Sequence, residues 1–124
     1  MKDNKFWLIT SGISGFLAVA IGAFGAHGLK STIPPELMEV YKTGVLYHLI
    51  HSAVLFAIAL NGSRKFYICA VFFTVGIILF SFSLYLYAIT AVTAFAIITP
   101  FGGLSLLAGW LMVIVQAVRF SDKS

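Results

Sequence analysis

The sequence predicts an all-α integral membrane protein, a bundle of four helices that crosses the bilayer four times and keeps both termini in the cytoplasm. Three features of its 124 residues carry that prediction. Hydrophobic residues make up 60% of the chain and charged residues only 10%, and the mean hydropathy of +1.03 lies far outside the range of a water-soluble domain of this size. The apolar residues fall in charge-free runs long enough to span lipid. The basic residues flank those runs and gather mostly on one side.

The first run, Phe6–Ala26, holds 21 residues without a charge, about 31 Å of helix and so one hydrocarbon thickness. Ala18-Val19-Ala20 inside it mimics a signal-cleavage site. The apolar stretch continues past that point and cleavage would leave an odd number of spans, so the segment is expected to stay as span one. The second run, Gly44–Leu60, gives about 26 Å of helix. From Phe66 to Val118 there are 53 residues without Asp, Glu, Lys or Arg, too many for one span and enough for two joined by a turn. Thr99-Pro100 reads as a helix start, with threonine as the N-cap and proline at the first helical position, where its missing N–H costs nothing. Span three is then Phe66–Ile89 and span four Pro100–Val118.

The connections follow from these limits. In the outer loop, residues 27–43, Pro34-Pro35 is followed by Glu36 and Glu39 among Leu37, Val40 and Tyr41, which reads as the start of a short juxtamembrane helix able to run straight into span two. The second outer connection, Thr90–Thr99, is short and apolar. Lys2, Lys5, Arg64, Lys65, Arg119 and Lys123 fall on one side and only Lys30 and Lys42 on the other; six against two assigns the first group to the cytoplasm. The same placement removes the nucleic-acid reading that a net charge of +4 would suggest in a soluble protein. A single cysteine, Cys69, excludes an internal disulfide and reads as a small hydrophobe.

Two kinds of candidate site remain. Ser14, Ala18, Gly22 and Ala26 recur every four residues, with Ser11 and Gly15 on an adjoining line, and offer a groove that another helix of this chain or of a second copy can approach closely. Gly102 and Gly103 suit close packing too, although a helix starting at Thr99 would also leave free N–H groups for an anion or a lipid headgroup. His48 and His51 are, apart from tyrosines, the ionisable groups inside a span, and such residues are functional candidates. Their i, i+3 spacing puts them on one face, and His27 ends span one, so the three histidines are expected to meet near the outer boundary within reach of Tyr47, Ser81 and Tyr85. In one reading each histidine bonds a serine, a tyrosine or a carbonyl and locks neighbouring helices together. In the other, the cluster holds a haem, a lipid headgroup or a metal, the last on His27, His48 and His51. Proton or ion passage through an oligomer is a third, weakened because no Asp or Glu lies inside a span. No catalytic constellation is visible, so the expectation is a structural or assembly protein of the cell membrane that is not an enzyme and needs no cofactor. Its partners would be the lipid bilayer, a second copy or other membrane proteins, with no nucleic acid.

Four ordered motifs add a resemblance. Gly22-Ala23-Phe24-Gly25-Ala26-His27-Gly28-Leu29, Tyr47-His48-Leu49-Ile50-His51, Phe80-Ser81 with Ser83-Leu84-Tyr85, and Ile98-Thr99-Pro100-Phe101-Gly102-Gly103 together resemble DUF423, the small membrane proteins also called the transmembrane protein 256 or YwdK-like family. The resemblance runs over nearly the whole chain. It implies four spans, a place in the plasma membrane in a bacterium, and no established activity, substrate or cofactor. Phe82 departs from the family pattern, in which glycine often separates the two serines, and makes very close helix contact there less expected.

Overall fold

The computed structural model describes residues 2–120; Met1 and residues 121–124, including the expected cytoplasmic Lys123, lie outside the described residues. The chain forms four long helical spans and no strand among the described residues. Helix α1 runs Lys2–Gly28 and α2 runs Pro35–Asn61. The third span is composite: a 3₁₀ turn Arg64–Phe66, α3 Tyr67–Gly76, a π-helical turn Ile77–Ser81, and α4 Phe82–Thr90. Helix α5 runs Thr93–Arg119. Each of the three uninterrupted helices has 27 residues, about 40 Å, and so overreaches a hydrocarbon layer of about 30 Å at both faces.

Helix α2 starts at Pro35, where the sequence places a helix start, and runs straight into span two, so the juxtamembrane segment and the span expected from Gly44 are one continuous helix. Proline at its first position lacks only an N–H that no helix would use there. Helix α5 starts at Thr93 instead of Pro100, and the connection before it, expected over Thr90–Thr99, shrinks to Ala91 and Val92, with Ala91 in the left-handed region at φ 59°. Pro100 therefore lies inside a helix and deprives the Ala96 carbonyl of its usual donor, a defect that membrane helices tolerate when neighbours or local adjustments re-satisfy the backbone. Thr99 does not cap; its hydroxyl bonds Ser83 Oγ of α4 at 2.6 Å.

Helix α1 packs mainly on α2, and α5 mainly on the third span, so α2 and the third span form the middle of the bundle and α1 and α5 its flanks. On α1 the inward stripe is Trp7, Ser11, Ala18 and Gly25. That spacing is close to a heptad. The expected four-residue line of Ser14, Ala18, Gly22 and Ala26 advances about 40° per step around a helix of 3.6 residues per turn, so Ala26 has rotated out to an exposed position and Gly25 takes its place beneath the Tyr41 ring. Toward the end that carries the termini, the core is built around Leu55, Phe73 and Leu106. A second cluster of Tyr41, Tyr85 and Ala88 lies toward the α1–α2 connection.

The π turn is the feature that sets the fit between the third span and α5. A π turn displaces the backbone and shifts the facing side chains around the axis. Gly102 meets the Leu79–Phe80 backbone here so closely that a Cβ would lie 2.7 Å from Phe80 Cα. Gly103, its neighbour, has ordinary clearance, its nearest atom being Phe80 Cδ1 at 3.8 Å. The two glycines expected to pack thus differ: one is a contact and the other borders a hollow.

Candidate polar site in the bundle

The buried face of α2 carries Tyr41, Gly44, His48, His51, Ser52 and Leu55 at helical spacing, which places its polar groups against both the third span and α1. His48 is the middle residue of Pro35–Asn61, so it and His51 sit near mid-span, deeper than the outer boundary where the sequence placed them. The cause is the helix start. With α2 beginning nine residues earlier than Gly44, about 13 Å of helix, residues 35–43 that had been assigned to the loop, is added at that end of the span.

His48 has no exposed surface, and its Nδ1 is 2.8 Å from Tyr85 Oη on α4. Among the described residues the tyrosine hydroxyl makes no other hydrogen bond, and a phenol O–H in an apolar setting donates where it can. The assignment that satisfies it has Tyr85 donating to Nδ1, which leaves the proton of His48 on Nε2. That atom is buried, and among the described residues none meets full hydrogen-bond geometry with it, although the Ser14 backbone faces the imidazole. Beside it lies a cavity of about 320 Å³ whose lining includes Ser14, Ile13, Thr74 and Phe82.

His51 is fully committed. Its Nδ1 lies 2.8 Å from the Tyr47 carbonyl and its Nε2 accepts the Trp110 indole N–H from α5 at 3.1 Å. Only the neutral tautomer with the proton on Nδ1 satisfies both bonds. Tyr47 itself is 39% exposed and contributes its carbonyl and ring face to His51 rather than its hydroxyl. Ser81, expected to reach the histidines, instead donates to the Gly44 carbonyl at 2.8 Å. His27 lies on the exposed end of α1 and does not join the pair, and among the described residues no three His, Cys, Asp or Glu side chains are grouped so as to hold a metal ion.

Further polar bonds tie the spans together. Ser14 and Ser52 hydroxyls meet at 2.6 Å, joining α1 to α2, and Ser52 also donates to the His48 carbonyl at 2.7 Å. Tyr41 Oη donates to the Ile21 carbonyl at 2.5 Å. Ser105 donates to the Phe72 carbonyl at 2.8 Å and Gln116 to the Lys65 carbonyl at 2.7 Å, both joining α5 to the third span, and Asn4 donates to the Ala59 carbonyl. Sequence reasoning missed Trp110, Gln116 and Asn4. Each had a legible signal, since a polar hydrogen in a span must find a partner, but the partner itself depends on which faces meet.

Comparison with known proteins agrees with this architecture. The model of the family described as "Protein of unknown function (DUF423)" matches residues 21–103. The UPF0382 membrane protein YwdK of Bacillus subtilis is 39% identical over 121 residues, covering 94% of this chain and 98% of that protein. The UPF0382 inner membrane protein YgdD of Escherichia coli K12 is 40% identical over 124 residues, covering 97% and 95%. No solved structure matches the chain. With a four-span bundle, the family model over most of its length and relatives matched nearly end to end, the chain belongs to the DUF423 (UPF0382) family of multi-pass membrane proteins.

Proposed function

We propose that the protein is a non-catalytic structural or assembly component of the membrane, with both termini on the cytoplasmic side, whose intramembrane histidines lock helices together. The observation that supports this most is how the polar interior is used: Ser14–Ser52, His48–Tyr85, Ser81–Gly44, His51–Trp110 and Ser83–Thr99 each join two different spans. In lipid, where burial of apolar surface gives helices little drive to associate, such bonds and close van der Waals contacts hold a bundle together. The lightly buried flank α1 is then the surface open to another membrane protein or a second copy. The excess of basic residues at the end carrying the termini supports the orientation.

The test joins stability to composition. His51→Ala and His48→Ala proteins should unfold at lower temperature in detergent, while wild-type protein carries neither stoichiometric metal nor a Soret band. A proton flux into liposomes that disappears in both variants would overturn the locking role. For orientation, Lys5→Cys should be shielded from an impermeant thiol reagent in intact cells and Ser31→Cys labelled; the reverse pattern would invert the topology. For assembly, a photo-crosslinker at Phe16, which is 74% exposed on α1, should yield one discrete adduct in membranes. Only lipid adducts at that position would remove α1 as the partner face.

A second reading rests on His48 Nε2, a buried donor faced by the Ser14 backbone but not fully bonded, beside the cavity of about 320 Å³. It assigns that space to an apolar molecule bearing one hydrogen-bond acceptor, admitted by a small movement of the surrounding side chains. Co-purification of such a molecule with wild-type protein and its absence from His48→Phe protein would favour this reading over simple locking.

A further inference from the structure

Between the polar core and the α1–α2 connection, the seam between these two helices opens into a cleft beside the Tyr41–Ile21 bond. Its floor is on α1, where Gly22, Gly25 and Ala26 carry almost no side chain. Its wall is on α2, formed by Met38, Val45, Leu46 and Leu49 along one helix face, with Lys42 among them. This hollow has a volume of about 280 Å³. A second hollow of about 210 Å³ continues it, sharing Gly25, Ala26, Met38 and Lys42 and adding Lys30 from the connection. The floor is held in place: the Tyr41 ring covers Gly25, and its hydroxyl is bonded to the Ile21 carbonyl of α1.

One end of the cleft therefore carries two ammonium groups and the other only hydrocarbon. Lys42 is the eighth residue of α2, about 10 Å along the helix from Pro35. A helix of about 40 Å in a layer of about 30 Å projects roughly 5 Å at each face, so the Lys42 backbone lies just inside the hydrocarbon edge. Its flexible stem snorkels to bring the ammonium to headgroup level. Glu39 stands 3.6 Å from it, but both side chains are largely exposed and such a pair is weak, so the mouth of the cleft remains net cationic.

We propose that this cleft binds one anionic phospholipid from the leaflet at the α1–α2 connection, its phosphate between Lys30 and Lys42 and part of one acyl chain along Gly22, Ala26, Val45 and Leu49. The cationic mouth selects the headgroup charge, and the small residues of α1 make room for the chain. This site is separate from the histidine pair and stands whether or not the locking role holds.

The experiment is native mass spectrometry of the full chain in detergent, titrated with phosphatidylglycerol or with phosphatidylcholine. Wild-type protein should retain one phosphatidylglycerol in preference to phosphatidylcholine. Lys30→Gln and Lys42→Gln should each weaken that retention roughly fivefold, the contribution of one lysine near a charged lipid surface. Ala26→Leu, which fills the floor from an exposed position and keeps both charges, should weaken it as well. Lys5→Gln removes the same charge from the opposite end of α1 and should leave retention unchanged. Equal retention of the two lipids, or an equal loss in Lys5→Gln, would overturn the proposal. So would unaltered binding in Ala26→Leu, or displacement of the lipid by millimolar inorganic phosphate, which would mark a plain anion site.

Discussion

Adding one methyl group at Gly102 should weaken the bundle, while adding it at Gly103 should not. At Gly102 the new Cβ would lie 2.7 Å from Phe80 Cα, with other backbone atoms of Leu79 and Phe80 nearer still, where ordinary contacts are 3.4–4 Å. Neither partner is the flexible end of a side chain, so α5 and the π turn must move apart by several tenths of an ångström or more. Such overpacking costs about 1–3 kcal/mol. The separation also stretches Ser105–Phe72 and Ser83–Thr99, at 2.8 and 2.6 Å, each worth about 0.6 kcal/mol in a membrane. Replacing glycine by alanine in a helix returns at most about 1 kcal/mol. The net expectation for Gly102→Ala is a loss of about 2 kcal/mol. For Gly103→Ala the nearest atom, at 3.8 Å, offers ordinary contact, so stability should be unchanged or raised by up to about 1 kcal/mol. Unfolding in mixed micelles with increasing dodecyl sulfate measures both. Equal loss in the two variants, or none in Gly102→Ala, would refute the claim that α5 rests on the backbone of the π turn at that residue.

Other substitutions probe the polar interior and the helix ends by the same assay. Trp110→Phe keeps an aromatic ring but removes the N–H that His51 Nε2 accepts, and should cost about 1 kcal/mol, whereas a change within error would mean the bond contributes nothing. A double-mutant cycle of His48→Phe and Tyr85→Phe should give a coupling of about 0.6 kcal/mol and no more than about 1.7; strictly additive losses would show the two groups acting independently. Ala91→Gly should stabilise by about 1 kcal/mol, because the residue sits at φ 59° between α4 and α5, and a loss there would mean that the turn has another backbone conformation.

The existence of four spans was legible in the sequence because length and hydropathy are local properties, summed along a run without knowing its neighbours. The third span shows the limit of such sums. Its apolar content marks it plainly, but nothing in Ile77–Ser81 announces a π turn, whose backbone Gly102 of α5 approaches closely. Pro100 failed as a start signal for a related reason: the preference for proline at the first helical position reflects the cost of an interior defect, and a membrane helix tolerates that defect where neighbouring groups or local adjustments re-satisfy the backbone. Tyr85 was correctly expected near a histidine, since it shares a face with Ser81, yet Ser81 itself bonds a backbone carbonyl instead.

The sequence by itself determined the solvent, the number of spans, the even count that places the ends of the bundle together, and the list of polar groups that must find partners. Only the tertiary structure decided which partners they find: Tyr85 for His48, Trp110 for His51, and no histidine partner for His27. It also decided that Gly102, not Gly103, bears the contact, and that His48 and His51 lie near mid-span. The physical reason is that depth and facing are cumulative. Each residue adds about 1.5 Å and 100° to a helix, so a boundary misplaced by nine residues shifts depth by about 13 Å, and a facing is fixed only when another helix packs against it.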